Sequence, residues 1–184
     1  MKFKRLPIQG LILIQPSSYI DNRGSFKETF RKDLFEDFIG KKINFVQDNE
    51  SVSSFGVLRG LHYQLDPYAQ SKLVRVSDGS VLDVAVDLRK NSKTFGRHFS
   101  VELSSKNNTQ LFIPRGFAHG FVVLSDTATF CYKVDNFYNK DNSRGIYYAD
   151  KDLNIDWKIN KKDLIISKID LSNDLFKDCE NFDN

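Results

Sequence analysis

Histidine is the side chain whose charge changes near neutral pH, so the three histidines of this chain are where proton chemistry is sought first. Two stand in unusual company: His62 in Leu58-Arg59-Gly60-Leu61-His62-Tyr63, and His119 in Pro114-Arg115-Gly116-Phe117-Ala118-His119-Gly120. His98, beside Phe99, has only the context of an ordinary structural histidine. A metal-dependent β-barrel oxygenase would place a second histidine two residues after the first, because the metal needs ligands that converge from one strand face. The corresponding stretch here is His62-Tyr63-Gln64. His62 lacks that second ligand, and its imidazole is free to act as a general base.

Other candidates gather around it. Arg59 is suited to a diphosphate, since guanidinium offers paired donors to phosphate oxygens and stays charged, although a surface ion pair would also explain it. Arg59 and His62 are three apart and would face opposite sides of a regular strand. Sharing one pocket requires a bulge at Gly60 or a local twist. Tyr132 shares a strand face with Phe130 and Val134 and reads in isolation as a core aromatic. Lys72, just before Leu73-Val74, reads in isolation as a strand-end lysine whose stem lies along apolar surface. In Val81-Leu82-Asp83-Val84-Ala85-Val86-Asp87, alternation puts Leu82, Val84 and Val86 on one face, the core face. The other face carries Asp83 and Asp87, and Asp83 is one candidate to orient His62.

These residues must be positioned by a scaffold, and the sequence points to strands. Sixteen Phe, seven Tyr and one Trp suit half-buried pleated surfaces better than a helical bundle. Runs over 72–76, 80–88, 99–103, 110–113, 121–124 and 127–134 read as strands, separated by turn formers such as Ser77-Asp78-Gly79 and Pro114-Arg115-Gly116. Many short strands so punctuated predict a sandwich or jelly roll. One helix is expected over 32–39, where Leu34, Phe35, Phe38 and Ile39 recur at helical spacing ahead of Gly40. With 184 residues and 40% hydrophobic content, a single domain over 1–184 is expected, with a polar tail after about residue 171 that frays.

Lys plus Arg number 27 against 24 Asp plus Glu, a net charge of +3 that makes no nucleic-acid footprint. Cys131 and Cys179 are the only cysteines and form no zinc-binding spacing. The apolar stretch Leu11 to Ile14 is far too short for a signal peptide or a membrane span, so a cytoplasmic location is expected.

Taken in order, Asp21-Asn22-Arg23-Gly24, Phe45-Val46-Gln47-Asp48-Asn49, Val57 to Gln64, Lys72 to Val76, Asp83 to Arg89 and Ile113 to Phe121 resemble the motif series of the dTDP-4-dehydrorhamnose 3,5-epimerases, over roughly residues 1 to 170. The resemblance implies an all-β, cupin-type jelly-roll barrel with a few short peripheral helices, working as a homodimer of an isomerase in dTDP-rhamnose and cell-surface polysaccharide biosynthesis. It implies a dTDP-sugar substrate, no cofactor and no metal. By position, His62 matches the general base, Asp170 its orienting carboxylate, Tyr132 the acid on the opposite sugar face, and Lys72 the group near the keto oxygen. Arg59 matches the diphosphate ligand. Arg23 and Phe26 match residues offered by the partner subunit, and Glu28, Gln47, Asn49 and His119 match other substrate-binding positions. One departure concerns the end of the barrel, where the family's Leu-Ser-x-Lys-Asp is replaced by Ile166-Ser167-Lys168-Ile169-Asp170, so Lys168 is displaced by one position and carries no assignment. Whether Asp170 or Asp83 orients His62 is open at this level. A mono-epimerase, an epimerase of another nucleotide sugar, a non-catalytic sugar-nucleotide binder and a metal-dependent oxygenase are the competing readings.

Overall fold

The structure, a computed structural model, describes residues 1–183. Strands β1 (Lys2–Arg5), β2 (Ile12–Gln15), β5 (Gln47–Ser54), β7 (Lys72–Asp78), β10 (Gln110–Ile113) and β12 (Thr127–Val134) form one six-stranded antiparallel sheet in the order β1-β2-β10-β7-β12-β5. The second sheet runs β13-β6-β11-β8-β9, from β6 (Val57–Gln64), β8 (Ser80–Asp87), β9 (His98–Ser104), β11 (Phe117–Val123) and β13 (Ser143–Gly145). A short β14 (Ile165–Ile166) adds to β6 in parallel. Two sheets packed face to face, with neighbours far apart in sequence, are the expected jelly-roll arrangement. A separate hairpin of β3 (Ser18–Asp21) and β4 (Gly24–Lys27) pairs only with itself.

The space between the sheets is filled by Val74, Val76, Val81, Ala85, Leu111, Phe121 and Phe130, among others. Helix α1 (Lys32–Ile39) spans the residues its spacing predicts and lies on the outside of the first sheet. It ends where Gly40 adopts φ 73° and its N–H donates to the Glu36 carbonyl at 2.9 Å. Phe35 is the residue that seats it, 1% exposed and edge-on to Phe112 at 4.9 Å between ring centroids. Burial of such a ring stabilises the fold by roughly 3 kcal/mol.

The alternation along β8 is present, and both of its faces are covered. Leu82, Val84 and Val86 point away from the other sheet and are covered by Ile146, Tyr148, Leu153, Trp157, Cys179 and Phe182. Asp83 and Asp87 lie on the inward face and are fully buried with Val81 and Ala85. Both faces are covered because the chain after β13 wraps the outside of the second sheet. The chain after residue 171 is anchored to this outer face. Cys179 and Phe182 are 7% and 6% exposed, and the Phe182 N–H donates to the Leu88 carbonyl at 3.0 Å. Polar composition between residues 172 and 178 hides these two apolar anchors.

Candidate active site

A cavity of about 880 Å³ opens between the sheets, walled by β6, β7, β11 and β12 and closed on one side by the segment carrying β14 and helix α2 (Lys168–Leu171). His62, Lys72, His119, Tyr132, Asp170 and Arg59 all line it. The bulge that Arg59 and His62 require is present. Arg59 pairs with Phe121 and His62 with His119, so Gly60 and Leu61 together oppose the single residue Gly120. Gly60 has φ 131°, and a Cβ there would meet the Gly120 Cα at 2.5 Å, so only glycine lets the strands approach and turns both side chains toward one pocket.

His62 Nε2–H donates to Asp170 Oδ1 at 2.6 Å. The two side chains differ in exposure, 45% for His62 and 6% for Asp170, so the imidazole is open to a ligand while its carboxylate partner is shielded. Asp170 reaches this place from α2, where Ser167 Oγ accepts the Asp170 N–H at 3.0 Å and caps the turn. The Gly60 N–H donates to Asp170 Oδ2 at 3.4 Å. Burial by itself would raise the Asp170 carboxyl, but the bond to His62, its charge and the Gly60 N–H outweigh that and hold it below the ordinary carboxylate range. Of the two carboxylates the sequence left open, Asp170 touches His62, whereas Asp83 accepts from His119 Nε2–H at 2.8 Å.

Lys72, at the start of β7, donates from Nζ to the His62 carbonyl at 3.3 Å. Burial lowers its ammonium to about 8, with the Asp83 charge opposing the shift. Burial also lowers His119, against the pull of Asp83, so its ring is neutral near pH 7. Tyr132 is pushed up by burial and drawn partly back by the Arg59 charge, which keeps its phenol protonated. Arg59 Nε and Nη2 both donate to Ser53 Oγ at 3.2 Å, and the residue is exposed, so its head is held at the rim. Asn49, opposite Tyr132 on β5, lines the cavity and accepts from Gln47 Nε2 at 2.8 Å.

Arg23, Phe26 and Glu28 are not brought into this cavity. Arg23 pairs with Asp21 at 2.6 Å and has an 86% exposed side chain, Phe26 is 67% exposed, and Glu28 lies 3.5 Å from Arg31. All three sit on or just after the β3–β4 hairpin. Lys168 is exposed at the start of α2. The structure adds lining residues that no periodicity signals, notably Tyr138, from the irregular chain before β13, and Arg144, on the three-residue β13 itself. Among the described residues, no group of three His, Cys, Asp or Glu side chains is placed to hold a metal ion.

A family model described as dTDP-4-dehydrorhamnose 3,5-epimerase matches residues 5–178. A protein of that name from Shigella flexneri is 50% identical over 182 residues, covering 99% of each chain. Among solved structures, a dTDP-4-dehydrorhamnose 3,5-epimerase from Elizabethkingia anophelis superposes with a TM-score of 0.94 at 50% identity, covering 99% of both chains. A dTDP-6-deoxy-D-glucose-3,5-epimerase from Legionella pneumophila, solved in complex with dTDP-4-keto-L-rhamnose, gives 0.93 at 43% identity over 97% of this chain and 94% of that one. With the cavity and its His62–Asp170 pair, these matches show that the chain is an isomerase belonging to the dTDP-4-dehydrorhamnose 3,5-epimerase family.

Proposed function

We propose a division of labour among the cavity residues of a chain that, as a member of this family, inverts C3 and C5 of dTDP-4-keto-6-deoxyglucose to give dTDP-4-keto-L-rhamnose. A ketone at C4 acidifies the hydrogens on both neighbouring carbons, because the electrons left behind delocalise onto the keto oxygen. The single observation that carries the assignment is the half-exposed His62 ring bonded through Nε2 to buried Asp170. With Nε2–H committed to that carboxylate, Nδ1 keeps the lone pair and takes the sugar proton. Asp170 fixes the tautomer and stabilises the imidazolium that forms. The Lys72 ammonium stabilises the developing enolate oxygen, and the Tyr132 phenol delivers a proton to the opposite face of the ring. Arg59 meets the diphosphate at the rim, with Gln47, Asn49 and His119 contacting the substrate further in.

The β3–β4 hairpin supports a homodimer as the working form. A lone two-stranded ribbon is marginal in water, and this one shows Tyr19, Ile20 and Phe26 at 62%, 82% and 67% exposure, which suits a ribbon that lies on a second copy. In that arrangement Arg23, Phe26 and Glu28 are supplied to the partner subunit's substrate. Among the described residues no helix is long and apolar enough to cross a membrane, and a cytoplasmic location suits a sugar-nucleotide substrate. The deciding experiment is incubation with dTDP-4-keto-6-deoxyglucose in deuterated water, followed by NMR of the product. Deuterium at both C3 and C5 with inverted configuration is expected; recovery of unlabelled substrate sinks the reading.

A further inference from the structure

Asp83 lies outside the proton relay just described, yet it is the most enclosed charged group beside the cavity. Its side chain is fully buried. One oxygen, Oδ2, accepts from His119 Nε2–H at 2.8 Å, and the other, Oδ1, is buried without a hydrogen-bond partner. A carboxylate buried with an idle oxygen is costly unless a positive charge faces it. The groups packed around it narrow the choice. Phe121, on the neighbouring strand in register with Asp83, stacks on Phe130 at 4.1 Å and walls one side with apolar surface. Lys72 on β7 makes no direct ion pair with Asp83 but feels its charge, and its ammonium, which has three N–H donors, spends one on the His62 carbonyl.

We propose that Asp83 is a positioning residue of this active site, holding the His119 imidazole through one oxygen and supplying, through space from its unpartnered buried carboxylate, the counter-charge that keeps the Lys72 side chain an ammonium aimed at the substrate's keto oxygen. The proposal rests on the epimerase reading of the site and deepens it. Other titratable groups around Lys72 cannot take this role. His62 and Arg59 on β6 and His119 on β11 carry no negative charge, Tyr132 on β12 stays protonated, and Asp170 on α2 is committed to His62. Glu50 on β5 sits at an exposed strand position, where water screens it. The arrangement separates two duties that one carboxylate could not perform together: Asp170 serves the base, and Asp83 serves the oxyanion side.

The test is Asp83→Asn, which keeps shape and removes charge. The alkaline limb of its kcat/KM profile is expected to move down by about one pH unit or more, with kcat at pH 7 lowered roughly tenfold and KM changed less than threefold. Asp83→Glu, which restores the charge, should return the limb toward the wild-type position. NMR titration of lysine labelled at Cε, with the Lys72 signal assigned by its loss in Lys72→Met, reads the same shift without turnover. A folded Asp83→Asn protein whose limb and Lys72 titration match wild type overturns the proposal. Should that variant fail to fold, Asp83→Asn/Lys72→Met decides, because removal of both charges relieves an unpaired one: recovered folding supports the pairing and no recovery overturns it. Wild type that exchanges no deuterium would instead sink the epimerase reading, so the two failures are distinguishable.

Discussion

The cavity holds two histidine–carboxylate pairs on adjacent antiparallel strands, His62–Asp170 and His119–Asp83, and the two histidines face each other directly in register. Their chemistry is alike and their surroundings are not. The first pair joins a half-exposed imidazole to a carboxylate delivered by a separate four-residue helix. The second is sealed, 7% and 0% exposed, with both members on regular strands of one sheet. The difference teaches that a His–Asp contact is not itself a function. An imidazole with nearly half its surface open to the cavity is free to exchange protons with a ligand there, whereas one that shows the cavity only a small edge, with its ring held neutral by burial, offers that ligand a fixed dipole.

This contrast can be broken most directly at the two histidines. His62→Ala should lower kcat by about a thousandfold or more, with little change in Tm because the ring is half solvent-exposed; a stopped assay by product NMR together with thermal melting checks both halves. Asp170→Asn should cost about a hundredfold in kcat, since the amide no longer enforces the tautomer that leaves Nδ1 as the base. His119→Asn should cost only about tenfold in kcat yet depress Tm more than His62→Ala, because it disrupts a buried carboxylate pair. Equal kcat losses at His62 and His119 would erase the distinction.

The smallest effect sharpens the comparison through pH. Lys72 must be charged to stabilise an enolate, so kcat/KM should fall as pH rises through about 8, approaching tenfold per unit. Stability should run the other way. Between about pH 8 and the ordinary lysine value the unfolded chain holds a proton that the folded chain has released, so wild type gains stability relative to Lys72→Met across that window. Denaturant titrations of the two proteins at several pH values read this difference directly, and parallel curves would remove Lys72 from the buried, charge-coupled position.

Much of the scaffold was legible in residue types and order. The α1 boundaries follow from apolar spacing and Gly40, and β10 and β12 run over the spans that their apolar and aromatic runs mark. Strand β5, Gln47–Ser54, is a harder case: its polar residues lie on the sheet edge, with one row turned to solvent and another to the cavity, so it carries no apolar alternation. The hairpin β3–β4 is hidden for a related reason, since Tyr19, Ile20 and Phe26 stay largely exposed and Tyr19 and Phe26 meet only across the hairpin itself.

The sequence alone determined which chemistries were available: a histidine without a second metal ligand, an arginine and lysine fit for anionic oxygen, and a glycine at position 60 where a bulge was needed. It also carried the family resemblance that the matches over residues 5–178 bear out. Only the tertiary structure decided which carboxylate serves which histidine, because Asp170 lies 108 residues beyond His62 and Asp83 lies 36 before His119, and neither separation encodes a distance in space. It likewise decided that the apolar face of β8 looks outward and is covered by the chain after β13. Alternation records that a strand has two sides; what covers each side depends on segments far away in sequence.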